Sequence, residues 1–126
     1  MRLLWVCFGG ALGTGARLLV SNWTQERLGV AFPWGTLAVN ALGSFLLGAI
    51  MVVATCTDLL SPTAKVTLTT GVMGGFTTYS TFNYETMRGL QSDWPWTGVL
   101  NVAVTVAGCL VAGFAGHALA RWAVGD

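Results

Sequence analysis

Eleven charged residues leave four long stretches of this chain with none: residues 3–16, 28–57, 66–84 and 94–120. A helix needs roughly 20 apolar residues to cross a bilayer. Three of the four stretches reach that length or come close. The first does so if Arg17 sits near an interface and extends its head group to water. Charged residues make up 9% of the chain, against about a quarter in soluble domains. A soluble helical core would need polar outer faces on its helices, and these stretches have almost none. Arg2 ahead of an apolar run resembles a signal peptide, but no small-residue cleavage site follows and three more spans do. The run before Cys7 is too short for a lipoprotein signal. The chain is therefore read as mature from residue 1.

The pattern predicts a single all-α integral membrane domain over residues 1–126, with four transmembrane helices near 3–20, 33–56, 64–90 and 97–124. Residues 22–32 form a connection, with Trp23 and Trp34 at the lipid–water interface. Pro33 suits the first turn of the second helix. Residues 57–63, with Asp58 and Pro62, form a short loop. Asp93-Trp94-Pro95-Trp96 forms the next turn. Such loops leave no room for a soluble domain, so function is expected inside the membrane.

Several classes of chemistry are not expected. Cys7, Cys56 and Cys109 are far apart and lack ligand spacing; they read as packing residues. No His/Cys/carboxylate cluster, phosphate-binding glycine loop or nucleophile triad occurs. His117, the one histidine, reads as an interfacial residue near the end of the last span. The chain is not expected to be an enzyme or to bind nucleic acid.

Small residues recur at helical spacing: Gly9 and Gly13, Gly71 and Gly75, Gly43-Ser44 and Gly48, and Gly108, Ala112 and Gly116. Such stripes let helix backbones approach closely in lipid. Four helices enclose little interior, so an oligomer is expected. With four spans, Arg2, Lys65 and Arg121 fall on one side. Arg27 and Arg88 fall on the other, with Arg17 close to them. Basic residues normally fix orientation, and a three-against-three split does not. Two oppositely inserted copies could then pair about an axis in the membrane plane, the symmetry that inverted repeats give larger transporters.

Polar groups inside the spans are the functional candidates. Asn40 has Thr36 one turn before it and Gly43-Ser44 one turn after. Two roles are open to its amide: bridging two helices, or lining a polar path with two N–H donors for an anion. The segment GVMGGFTTYSTFNYE (71–85) says more. Gly74-Gly75 weakens the helix by roughly 1 kcal/mol for each glycine relative to alanine. Thr77, Thr78, Ser80 and Thr81 can bond the freed backbone groups. Loose carbonyls suit a small hard cation, and the half-helix after the break begins with partial positive charge. Tyr79 and Phe82 share a face if the helix resumes. Ring edges are electropositive, so two rings edge-on could line an anion path without trapping the ion.

GGALGTGARLL (9–19), WGTLAVNALGSFLLG (34–48) and TGVMGGFTTYSTFNYE (70–85) resemble signature segments of the fluoride-exporting channels of the Fluc (CrcB) family. The resemblance covers nearly the whole chain, and the third motif is highly specific. It implies a passive fluoride channel of the inner (plasma) membrane that protects against fluoride toxicity. It also implies an antiparallel dual-topology homodimer with the third helix broken mid-membrane, two fluoride pores and a central structural sodium ion. Gly74 and Thr77 would give carbonyls to that sodium, four oxygens from two copies. Asn40, Tyr79 and Phe82 would lie on the fluoride path. The hydroxyls of Thr36, Ser80 and Thr81 join that path, Arg17 stands at an aqueous vestibule, and Glu85 lies just beyond the ring pair. Two departures stand out. Tyr79 takes a position commonly held by phenylalanine. Cys109 and Gly113, one and two turns beyond Thr105, stand where the fourth helix commonly carries hydroxyls.

The main rival is a small dual-topology proton-coupled multidrug-type transporter, which needs a membrane-embedded carboxylate. Glu85, toward a helix end, is the one candidate. A second rival is a scaffold subunit that transports nothing.

Overall fold

The computed structural model describes residues 1–125. Every regular element among them is helical: α1 (Arg2–Leu28), α2 (Trp34–Cys56), α3 (Pro62–Val66), a π-helical segment (Thr67–Met73), α4 (Gly74–Phe76), α5 (Tyr79–Leu90) and α6 (Trp96–Val124). α1, α2 and α6 are each long and apolar enough to cross a bilayer. The remaining elements follow one another from Pro62 to Leu90 as shorter pieces.

Local chemistry sets the ends. α1 runs on past residue 20 and takes in most of the segment expected as a connection. Thr24, buried, donates its hydroxyl to Val20 O at 2.7 Å, so it bonds back within the helix and leaves no polar group to break it. The helix stops at Gly29, whose φ of 84° suits a residue without a Cβ. α2 starts after Pro33 and ends at Cys56, within one residue of the expected span. Ser61 caps α3 by accepting from Ala64 N at 3.2 Å, with Pro62 in the first turn. α6 ends at Gly125 in the left-handed region, φ 78°.

The expected weak point was the glycine pair, and here the structure differs. Gly74 has helical angles, φ −64° and ψ −34°, and α4 carries the helix on to Phe76. The chain becomes extended at Thr77 (φ −81°, ψ 159°) and Thr78 (φ −150°, ψ 113°). Glycine lowers helix propensity, but a backbone stays helical where neighbouring backbone holds it. Gly75 is packed so closely on α1 that a Cβ there would run into Gly10 O.

Two tight pairings build the molecule. α1 lies along the π segment and α4. A Cβ at Gly13 would strike Val72 O, and one at Gly71 would come within 2.7 Å of Val6 O. α2 lies along α6 in the same manner, with Gly116 over Phe45 O and Gly48 over Gly113 O. Small residues are what permit backbones this close. Val39, Met73 and Phe76 form the small buried core between the pairs. Most other large apolar side chains point outward, Leu12, Leu19, Val111 and Phe114 among them. Such an outer surface suits lipid or a second apolar protein face.

Candidate functional site

The extended pair Thr77-Thr78 exposes backbone groups that a helix would have paired with one another. The N–H of Thr78, which would continue α4 by bonding Gly74 O, instead donates to Asn40 Oδ1 at 2.8 Å. Asn40 Nδ2 donates in return to Thr78 O at 3.0 Å. One side-chain amide thus stands in for a strand partner and satisfies both polar groups of a single residue. Of the two roles open to Asn40 in the sequence, bridging is directly visible. It also limits the other role: one N–H remains for a ligand, not two.

Hydroxyls secure both sides of the break. Thr77 donates its N–H and its Oγ1 to Met73 O, at 3.0 and 2.9 Å, closing α4. Thr78 Oγ1 accepts from Thr81 N at 3.3 Å and so caps α5. Arg17 Nη1 donates to Thr77 O at 3.4 Å, and Thr14 Oγ1 to Gly75 O at 3.5 Å. Carbonyls left by the end of a helix are therefore met partly by α1. α5 begins at the break, so its first N–H groups and the positive end of its dipole lie there.

Two cavities meet at Thr78, which lines both. One, of about 320 Å³, is walled by Asn40, Gly43, Thr77, Tyr79, Phe82 and Thr105, among others. The Tyr79 and Phe82 rings stand 5.7 Å apart at 57°, tilted and not stacked. Tyr79 is 77% exposed, so this chain leaves most of its ring uncovered. The other cavity, of about 350 Å³, is lined by Arg17, Thr36 and Thr81 together with Thr14 and Ser21. The residues expected on one path are thus divided: Asn40, Tyr79 and Phe82 in the first cavity, Arg17, Thr36 and Thr81 in the second. Ser80 is exposed and lines neither. Glu85 is half-buried, and its Oε2 is enclosed without a hydrogen-bond partner. Gly74 is exposed, and a Cβ there would meet nothing within 4 Å. Gly74 thus leaves its side of the helix open, while Thr77, half-buried, has its carbonyl oxygen 3.4 Å from Arg17 Nη1.

Sequence reasoning missed one buried group. Asn101, 1% exposed, donates Nδ2 to Thr86 Oγ1 at 2.9 Å and accepts from Thr105 Oγ1 at 3.2 Å. Thr86 in turn donates to Phe82 O at 2.8 Å. The signal was present. Asn101 is an amide in the charge-free run 94–120 with Thr105 one turn away, on its other side from the threonine that accompanies Asn40. Cys109 and Gly113, where hydroxyls were expected, line a groove of about 410 Å³ with Ser44, Met51 and His117.

Comparison with known proteins adds an independent line. Residues 4–117 match the family described as CrcB-like protein, Camphor Resistance (CrcB). A protein of Sorangium cellulosum (strain So ce56) named fluoride-specific ion channel FluC is 54% identical over 120 residues, which is 95% of this chain and 94% of that one. Proteins of the same name from Anaeromyxobacter sp. (strain K) and Geobacter sulfurreducens are 49% and 46% identical. Those alignments cover 98% of each chain in the first case, and 94% of this chain and 96% of that one in the second.

Proposed function

The chain belongs to the CrcB-like family, and we propose on that premise that it is a passive fluoride-specific ion channel, a multi-pass protein of the plasma membrane that releases fluoride from the cell. The relatives named above favour the channel over the proton-coupled transporter. The observation in this chain that carries the reading is the Asn40 amide clamped on Thr78 at an interrupted span, beside a tilted ring pair.

Fluoride is small and strongly hydrated, and placing it bare in hydrocarbon costs tens of kcal/mol. Donors must replace its water. The second Asn40 N–H and the amino end of α5 lie at one cavity, and the ring edges of Tyr79 and Phe82 add weak, distributed attraction. Few fixed charges face this cavity, so an ion enters without being trapped. Arg17, Thr36 and Thr81 form a second basin that meets the first at Thr78. Hydrogen fluoride enters cells as a neutral acid and dissociates at neutral pH. A potential negative inside then drives the anion outward.

The working unit is a pair of copies inserted in opposite senses, with the break at Thr77-Thr78 near mid-bilayer. The even split of basic residues and the outward-facing Gly74 and Tyr79 support this arrangement. A sodium ion between the copies fits the same surface. Gly74 O loses its helical donor to Asn40, and Thr77 O has only the long contact with Arg17. Carbonyl oxygens of this kind are suitable donors for a hard cation. Bound there, sodium would neutralise carbonyl dipoles from both copies.

The experiment is fluoride efflux from liposomes containing the purified protein, with chloride as control. Efflux set by voltage and fluoride gradient, and indifferent to an imposed proton gradient, is the expected result. Flux that follows the proton gradient would return the transporter reading, and a protein that moves no fluoride would leave only a scaffold.

A further inference from the structure

α5 is only twelve residues long and follows two extended residues. Its rotation about its own axis decides where the Phe82 ring points. The Asn40 clamp holds the chain just before α5, and Gly89 meets Gly98 of α6 at the far end. Between these two points, α5 is tied to α6 through the buried row Thr105, Asn101, Thr86 and Phe82 O.

We propose that Thr86 and Asn101 are positioning residues for the channel: their hydrogen bonds fix the rotation of α5 and hence the aim of the Phe82 ring into the cavity. Every donor in the row points the same way. Thr105 Oγ1 donates to Asn101 Oδ1, Asn101 Nδ2 to Thr86 Oγ1, and Thr86 Oγ1 to Phe82 O, at 3.2, 2.9 and 2.8 Å. Hydrogen bonds aligned in this way reinforce one another where water is excluded. Thr86 is the pivot. Its hydroxyl gives its one proton to the backbone of Phe82 and receives one from α6. Bonds of this kind from Thr to the carbonyl four residues back also bend a helix, so the hydroxyl acts on the turn that carries the ring. Thr105 lines the same cavity as Phe82. With its proton committed to Asn101, Thr105 offers that cavity lone pairs and not a donor. The row therefore leaves Asn40 as the side-chain amide that serves an anion there.

This inference rests on the channel reading, and its test separates the two with two readouts. The variants are Thr86→Val, which keeps the shape and removes the hydroxyl, and Thr86→Ser, which keeps the hydroxyl. The first readout is fluoride efflux from liposomes. Thr86→Val slows it about tenfold, Thr86→Ser stays within about twofold, and Thr86→Val adds nothing further in a Phe82→Ile background. A full additional tenfold loss in that background would overturn the proposal, because the threonine would then act other than through the ring. The second readout needs no transport. Protein carrying 4-fluorophenylalanine at position 82 gives one fluorine resonance in native and Thr86→Ser chains, and a shifted or broadened one in Thr86→Val. An unmoved resonance overturns the positioning role whatever the flux does. A resonance that responds in a protein that moves no fluoride would sink the channel reading and leave the positioning role standing. If Thr86→Val fails to fold, Asn101→Gln, which moves the same amide by one methylene, takes its place in both readouts with the same outcomes.

Discussion

Replacing Asn40 by aspartate and by leucine separates what its amide does for the backbone from what it does for an anion. Asn40 accepts from Thr78 N at 2.8 Å and donates to Thr78 O at 3.0 Å. Leucine removes both bonds. It strands an N–H and a C=O, each at about 1–3 kcal/mol, for a combined loss of about 2–6 kcal/mol of stability. Aspartate keeps an acceptor for the Thr78 N–H, but it turns a second acceptor toward Thr78 O and carries a charge whose burial is costly, so it destabilises at least as much. In conduction the two variants part. A carboxylate about 6 Å from a passing anion, at an effective dielectric of about 20, raises its energy by about 3 kcal/mol. That corresponds to about 100-fold in rate, before the missing N–H is counted. Leucine imposes no such repulsion. Fluoride-electrode recording of liposome efflux and thermal unfolding in detergent check both effects. Both variants melt below the native protein, and Asn40→Asp conducts more slowly than Asn40→Leu. Native-like efflux from Asn40→Asp would refute the placement of Asn40 on the path. An Asn40→Leu protein as stable as the native one would refute the clamp.

Three further outcomes follow from the packing. Gly43→Ala places a methyl into Thr77 Cγ2 and slows fluoride efflux about tenfold; adding Thr77→Ser, which removes that methyl and keeps the hydroxyl bond to Met73 O, restores it. Gly13→Ala drives a Cβ into Val72 O and costs about 1–3 kcal/mol, read as a fall in Tm of about 5 °C or more, with no change in fluoride-over-chloride preference in the protein that remains folded. Gly74→Ala meets nothing in its own chain, so helicity and folding hold while pairing between copies weakens, measured as the mass of the protein–detergent particle by light scattering. A stable, fully paired Gly74→Ala protein with native sodium response would remove Gly74 from the interface.

The comparison of residues with structure shows which physics a sequence exposes. The three long apolar helices α1, α2 and α6 were legible because lipid forces a span to be long and free of charge, and that leaves a direct trace in where eleven charges fall. The end of α1 was not. Residues 22–28 contain Trp23, Glu26 and Arg27 and look interfacial, but nothing in their order shows that Thr24 bonds back to Val20 and keeps the helix going. The break was misplaced for a related reason. Gly74-Gly75 is weak in isolation, yet α1 packs against it, and close contact with Gly10 holds it helical. The residues that leave the helix are the two threonines that follow, because each has a better offer than helical bonding. Thr77 returns its hydroxyl to Met73 O, and Thr78 gives its backbone to Asn40, which lies thirty-eight residues away in sequence. Propensity is a property of one residue, whereas a break in lipid is decided by which partner waits for the freed N–H and C=O. Asn40 and Asn101 were both written in the sequence as lone amides in charge-free runs, and each is bound to the succession of short helices between Pro62 and Leu90 from a different neighbouring helix. Each of these two amides is one half of a bond whose other half is irregular backbone or a hydroxyl on a neighbouring helix. Here both amides converge on α5, one fixing where it starts and one fixing how it is turned, so the short helix that carries Tyr79 and Phe82 is set by side chains outside the motif that contains the rings.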